Sequence, residues 1–393
     1  MTPGNILRQA ARAAEHALFV ALALLMRLVR PLALVRVGKV ATGRIGHFAA
    51  DCELYLCQRE LGLAPKRCID LFHPEEFVSN QALLAMLRRN MTIHPLFRKL
   101  DEANRTLPGW ERHTVDIFRK SRDVECLLSR TTARTSFTQE EEARGRQTLR
   151  KLGVPHDSPF IALYGRDSAY LASTFPSWDW SYHDYRDMDV ADFKPCAAAL
   201  AQEGYHVVRM GSQVKEPLEH ESPKVVDYAT SGHRDEFADI YLSAKCRFFI
   251  GVPGGIVALP MIHRVPTLYV NFIPLEYIQA WNPYDMFIPK KLWCEKKERL
   301  LTFGEILGSG LGRQLMSQAY VGNGVRVVNN TPEELRDAAL EMDQRMKGSW
   351  EDTLEDKEMQ RAFWGLFKAS ELNACFNARI ASSFLRANTE LVR

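Results

Sequence analysis

Residues 247–272 limit the fold more than any other stretch. They read Arg-Phe-Phe-Ile-Gly-Val-Pro-Gly-Gly, then a helix-length segment to Arg264, then Val-Pro-Thr-Leu-Tyr-Val-Asn-Phe. Two short apolar runs rich in β-branched and aromatic residues flank that segment, which is the pattern of a βαβ unit with strands covered on both faces. Gly254 and Gly255 stand between the first strand and the helix. Glycine there lets the backbone approach a ligand, and a helix start behind it offers free N–H groups and a partial positive charge. A tight turn without a ligand is the alternative, so the neighbours decide.

Those neighbours repeat the pattern. Strands are expected over 160–164, 205–210, 225–228 and 325–328, and helices over 190–203 and 234–245, with Thr331-Pro332-Glu333-Glu334 capping a further helix. Such alternation predicts a doubly wound parallel sheet. The N-terminal half opens in the same way, with a strand over 32–40, a Gly-rich loop and a helix over 48–61. Helices are also expected over 80–89, over 111–120 and over 138–152, the last from a Thr-x-x-Glu capping box. The 393 residues are enough for two α/β domains. The expected division is a first segment 1–30, an N-terminal domain 31–152, a C-terminal domain 153–348, and a helical tail 349–393 packing back on the N-terminal domain.

The first segment is basic and apolar. Residues 17–26 form an unbroken apolar run, too short for the roughly 20 residues of a spanning helix. Arg8, Arg12, Arg27, Arg30, Arg36 and Lys39 surround it against one acid, Glu15. A helix of this composition suits an anionic membrane surface, here expected to engage residues 1–36; a buried first helix is the alternative. The formal net charge of +3 is too small to suggest nucleic acid as a partner. Eight cysteines are scattered without a Cys-x-x-Cys pair, so no zinc site is expected, and most of the thiols read as small core residues of a reducing compartment.

Several chemistry-bearing residues fall at the carboxyl ends of the expected strands: Arg166 and Asp167, Arg209 with Gly211 and Ser212, Asp227, Gly254 and Gly255, and Asn271. A loop adds Arg186 within Tyr182-His183-Asp184-Tyr185-Arg186-Asp187-Met188-Asp189. Guanidinium forks suit a diphosphate, and carboxylates suit ribose or sugar hydroxyls. On the N-terminal side, Gly43, Arg44, Gly46 and His47 occupy the first Gly-rich loop. The loop lacks Walker-A spacing and is not Gly-x-Gly-x-x-Gly, so neither a mononucleotide loop nor a dehydrogenase fingerprint is present. His47 is a candidate general base, with a structural role as its alternative.

The runs Gly165-Arg166-Asp167-Ser168-Ala169-Tyr170-Leu171, Trp180 to Asp187, Val208-Arg209-Met210-Gly211-Ser212, Asp227 to Gly232, Asp239-Ile240-Tyr241-Leu242, Asn271 to Glu276 and Phe287 to Trp293 closely resemble a bacterial family of glycosyltransferases. Its members are similar to enzymes that build surface polysaccharides. The resemblance covers about residues 35–345. It implies the GT-B architecture, two Rossmann-like domains facing a central cleft, with a nucleotide-sugar donor in the C-terminal domain and a glycan or lipid-linked acceptor facing the N-terminal one. Arg166 looks like the diphosphate-binding arginine of fucosyltransferases of that architecture, whereas Pro253-Gly254-Gly255 departs from their hydroxyl-bearing loop. The resemblance also implies catalysis without a metal. The expectation is then an enzyme without a cofactor on the inner face of the cytoplasmic membrane, with Arg166 and Asp167 acting on the donor side and His47, or a carboxylate across the cleft, deprotonating the acceptor hydroxyl. A nucleotide- or glycan-binding scaffold without catalysis is the alternative from another class.

Overall fold

In the computed structural model, which describes residues 3–174 and 176–392, the chain divides into two units. Unit 1 comprises Met1–Ser121 and Thr131–Ser136; unit 2 comprises Arg122–Arg130 and Phe137–Arg393. The expected boundary near residue 152 therefore moves. The helix with the Thr138 capping box (Gln139–Lys151) lies in unit 2, and the first segment is part of unit 1.

Unit 1 begins with α1 (Pro3–Val29), followed by β1 (Leu34–Val40), α2 (Ile45–Glu60), β2 (Cys68–Pro74), α3 (Gln81–Leu87), β3 (Thr92–Ile93) and α4 (Phe97–Arg105). The three strands are parallel in the order β1-β2-β3. Phe19, Ala23 and Met26 recur at helical spacing and pack one face of α1 on Val37 and Leu100. The opposite face leaves Leu18, Leu22, Leu25 and Leu28 exposed. α1 thus carries both a buried stripe and an exposed apolar one. No helix among the described residues is long and apolar enough to cross a membrane.

The helix expected over 111–120 is a single 3-10 turn, Trp110–His113, after which the chain runs beside β1. Its side chains alternate: His113, Val115 and Ile117 are buried while Asp116 and Phe118 are exposed, the period of an extended chain. Gly38 permits this approach, because a Cβ there would lie 2.1 Å from the Val115 carbonyl oxygen.

After α5 (Gln139–Lys151), unit 2 contributes β4 (Phe160–Tyr164), α6 (Ala169–Thr174), α7 (Lys194–Gln202), β5 (His206–Met210), β6 (Val225–Asp227), α8 (Glu236–Lys245), β7 (Phe249–Gly251), α9 (Ala258–Ile262), β8 (Thr267–Phe272) and β9 (Met286–Pro289). There follow β10 (Lys291–Cys294), β11 (Arg299–Leu300), α10 (Phe303–Gly308), α11 (Ser317–Gly322), β12 (Val325–Val328), α12 (Pro332–Lys347), α13 (Leu354–Gly365), β13 (Arg379–Ile380) and α14 (Ser382–Ala387). Seven parallel strands stand in the order β13-β9-β8-β7-β4-β5-β6. From β4 onward this is the doubly wound order, and it reverses between β4 and β7. An open α/β sheet forms its ligand crevice at that reversal, outside the carboxyl ends of the strands.

Two further expectations change. Val325–Val328 pairs antiparallel with β10 in a small separate sheet, not with the parallel one. The tail belongs to unit 2: β13 extends the unit 2 sheet beside β9, and α14 lies on α12. Cys126 and Cys375 are joined as a disulfide, so the expectation of thiols kept in a reducing compartment fails for this pair. Five of the other cysteines are buried and Cys294 is half-buried.

Candidate functional site

The reversal point in unit 2 gathers charge. Arg166, one residue beyond Gly165 at the end of β4, is almost fully buried, pairs with Asp187, and donates from Nη1 to the His183 carbonyl at 3.2 Å. The loop from Ser181 onward lies over the strand ends: Met188 N–H donates to the Arg166 carbonyl at 3.1 Å. Lys290, between β9 and β10, is buried and donates from Nζ to the carbonyls of Tyr185 (2.9 Å) and Asp187 (2.8 Å). Arg186 sits on the same turn, its guanidinium over the Tyr185 ring at 5.6 Å and its buried Nε without a hydrogen-bond partner.

These cations feel one another. Burial, and then the charge of Arg186, lowers the Arg166 pKa from its ordinary value. Burial, and then the charge of Arg166, pulls Lys290 down to about 7. A buried lysine next to an arginine holds its proton weakly until an anion arrives. Arg166, Arg186 and Lys290 thus cluster at one edge of the sheet, with the Asp187 carboxylate paired to Arg166 and Lys290 near its titration point at neutral pH.

The glycines after β7 complete the rim in part. Val252 N–H donates to the Tyr164 carbonyl at 3.2 Å, and a Cβ at Gly254 would lie 3.1 Å from the Tyr164 ring. The loop is close because residue 254 lacks a side chain. The expected helix dipole is small, however: Gly255–Val257 is one 3-10 turn, and α9 behind it spans five residues. Pro260 inside this segment and the early Arg264 at φ 61° keep the helix short.

Other expected donor residues are engaged within the protein. Asp167 accepts from Ala169 N (2.9 Å) and Lys215 N (2.9 Å), which ties the loop after β5 to the end of β4. Arg209 has no exposed surface; its Nη1 donates to both Asp227 carboxylate oxygens at 3.2 Å, across the β5–β6 register pair. Asp227 also accepts from Leu218 N at 2.7 Å. Gly211 has φ 157°, and a Cβ there would meet Val214 at 2.7 Å; Ser212 beside it is partly exposed. Asn271 is fully buried at φ 49° where the β8–β9 register shifts. It exchanges two hydrogen bonds with Asn330, N–H to Oδ1 at 2.7 Å and Oδ1 from N–H at 2.6 Å. Asn tolerates this left-handed backbone, so Asn271 shapes the strand end. Asp189 accepts from Ala191 N at 2.8 Å and caps the next turn.

Lys290 is the residue the strand-end reading passed over. It lies inside the 287–293 run that resembles the glycosyltransferase family, but β9 is too short to announce that its end reaches the same edge as β4.

In unit 1, His47 stands in the first turn of α2, not in the loop before it. Its Nδ1 shares a 2.8 Å hydrogen bond with Ser121 Oγ and lies 3.8 Å from the Asp51 carboxylate, while Phe118 packs on the ring at 5.1 Å. Burial, and then Arg44, lowers the His47 pKa, so the ring is neutral at neutral pH. With its proton on Nδ1, the ring keeps an Nε2 lone pair. A partner oriented by hydrogen bond and carboxylate is the arrangement of a general base and its orienting group. Asp51 accepts from Ser121 N at 2.8 Å, and burial raises its carboxyl to about 7. Gly43 N–H donates to Glu75 at 2.8 Å, and Arg44 is exposed at the N-cap of α2.

No family model and no curated protein matches the chain. Among solved structures it is similar to the glycosyl transferase family 9 protein from Veillonella parvula DSM 2008, at 12% identity over 79% of this chain and 97% of that one, with a TM-score of 0.45. It is also similar to E. coli ADP-heptose LPS heptosyltransferase II, at 12% identity over 60% of this chain and 84% of that one, with a TM-score of 0.38.

Proposed function

We propose that the protein is a glycosyltransferase whose unit 2 binds a nucleotide-sugar donor at the reversal of its parallel sheet. The observation that carries this reading is the convergence of Arg166, Arg186 and Lys290 at the ends of β4 and β9, beside the glycine-bearing end of β7. Transfer breaks the bond between the anomeric carbon and the nucleotide phosphate, and negative charge grows on the departing phosphate. Fixed cations stabilise that charge in the transition state more than in the bound donor. They do this without a metal or a cofactor. In unit 1, neutral His47 takes the proton of the attacking acceptor hydroxyl through Nε2, and Asp51 and Ser121 hold the ring.

The resemblance of the strand-end runs to a family of surface-polysaccharide enzymes supports a glycan or lipid-linked acceptor. α1 supports a place on the inner face of an anionic membrane, since exposed leucines share it with Arg8 and Arg12, and Arg30 follows just beyond it. Arg27 and Arg36 contribute less to that surface: Arg27 donates to Asn104 at 3.0 Å, and Arg36 pairs with Asp70 at 2.7 Å. A thermal-shift panel of nucleotides and nucleotide sugars tests the donor reading. A ligand at a hundred times its Kd adds roughly 2.7 kcal/mol. Stabilisation by one nucleotide sugar, and its turnover with a glycan acceptor, are expected; no stabilisation by any member at millimolar concentration sinks the reading.

A further inference from the structure

Tyr164 is the last residue of β4, and its register neighbours are Met210 of β5 and Gly251 of β7. It therefore stands where the sheet order reverses and the ligand crevice of an open α/β sheet forms. A phenol taken out of water ordinarily finds a hydrogen-bond partner. Elsewhere in unit 2 this holds: Tyr205 donates to Asp343 at 2.6 Å, Tyr228 to Asp239 at 2.9 Å, Tyr241 to Glu142 at 3.1 Å and Tyr320 to the Gln314 carbonyl at 2.9 Å. The hydroxyls of Tyr185 and Tyr269 are sealed inside the fold. Tyr164 differs from both groups. It is half-buried, and neither a hydrogen-bond partner for its hydroxyl nor a second ring on its own is found among the described residues.

The glycine loop after β7 explains why the hydroxyl stays open. A Cβ at residue 254 would lie 3.1 Å from the edge of the Tyr164 ring and 3.2 Å from its hydroxyl oxygen. Gly254 itself has φ −168° and ψ 175°, extended backbone that any residue adopts, so the turn does not call for glycine. What the missing side chain leaves is room at the phenol. The surroundings say what could use it. Arg166 and Lys290 direct donors to Asp187 and to loop carbonyls, whereas Arg186, like Tyr164, has no hydrogen-bond partner among the described residues. Burial raises the Tyr164 pKa against the pull of Arg166, so the phenol keeps its proton and donates at neutral pH. An open O–H donor beside cations suits an oxygen that carries negative charge. We propose that the Tyr164 hydroxyl donates to a phosphate oxygen of the nucleotide-sugar donor, and that residue 254 is glycine to keep this hydroxyl uncovered. This rests on the glycosyl-transfer reading and adds a neutral hydrogen-bond donor to its cations.

The test uses the full chain and calorimetry with two ligands, the nucleotide sugar found by thermal shift and its free nucleotide. Tyr164→Phe keeps the ring and removes an unpartnered oxygen, so Tm should not fall. Affinity for both ligands should drop by the same factor, roughly tenfold or more, the loss typical of one hydrogen bond to a charged group. Gly254→Ala should weaken both ligands as well. In a Tyr164→Phe background it should change little, because the hydroxyl it would cover is gone. Unchanged affinity in Tyr164→Phe, with wild type binding, overturns the inference and leaves the proposed function standing. A loss confined to the nucleotide sugar also overturns it, since the hydroxyl would then meet the sugar and not the phosphate. Losses that simply add in the double variant break the link between Gly254 and the phenol. If wild type binds neither ligand, the proposed function and this inference fall together.

Discussion

The chain has two glycine-bearing strand ends that read alike in sequence, residues 42–47 in unit 1 and 252–255 in unit 2, and the structure surrounds them with opposite chemistry. The unit 1 loop is laced by acceptors: Glu75 receives from Gly43, Thr42 is buried and bonded to the 75–79 loop, and Asp51 lies behind His47. Around the unit 2 loop stand cations, Arg166, Arg186 and Lys290. Carboxylates beside an imidazole manage protons, whereas guanidinium and ammonium groups beside an open backbone hold phosphate. The same turn chemistry therefore sits in opposite surroundings, and the residues contributed by other strands decide which.

Mutations can separate the two ends. The largest effect is expected at His47: His47→Ala should lower transfer by about 10²-fold or more while leaving donor affinity and Tm in place. A large fall in Tm with activity per folded molecule preserved would reduce His47 to a support of its loop. Next in size, Arg166→Ala should weaken nucleotide-sugar binding by roughly 1.5–3 kcal/mol, the worth of hydrogen bonds to charged groups. Arg166→Lys should recover only part, since the fork that spans Asp187 and a ligand is lost. Calorimetry showing unchanged affinity in Arg166→Ala would remove this residue from the donor site.

A smaller effect belongs to Lys290. Its pKa near 7 means the free protein loses this cation as pH rises past neutrality. Donor affinity should decline above pH 7, by at most about tenfold per pH unit, and Lys290→Met should bind more weakly with a flatter profile. The stability sign runs the other way. A lysine with a depressed folded pKa costs stability that is fully felt below about pH 7 and relieved as pH rises toward 10. Unchanged pH dependence of binding in Lys290→Met would break the assignment. The smallest expected change is at Asp51, whose raised carboxyl makes folding lose stability as pH climbs from about 4 through about 7. Asp51→Asn keeps an acceptor for Ser121 N–H and should flatten the Tm-against-pH curve over that window.

The alternating strands of unit 2 were legible because buried parallel strands are short, mostly apolar runs, as in Phe160–Tyr164 and His206–Met210. Capping boxes at Thr138 and Thr331 were legible for a local reason, a hydroxyl and a carboxylate three residues apart. What one residue meets across the sheet was not. Arg209 and Asp227 looked like separate rim charges, and only the β5–β6 register turns them into a buried pair. Asn271 looked like a polar strand end until its left-handed backbone and Asn330 explained it. Cys126 and Cys375 stand 249 residues apart, beyond any spacing rule.

Segment Arg122–Arg130 belongs to unit 2 although the chain on both sides of it belongs to unit 1. Arg122 donates to the carbonyls of Tyr277 (2.7 Å), Ile278 (3.1 Å) and Leu372 (2.6 Å), and Cys126 is tied to Cys375. The units are therefore interleaved along the chain, and no single cut yields both whole. A fragment beginning at residue 137 would lack the arginine that occupies those three carbonyls, leaving buried acceptors without donors. A fragment ending at Ser136 would carry Arg122 as an orphan cation. Isolating unit 2 requires a permuted chain in which residues 122–130 are returned to it by another route.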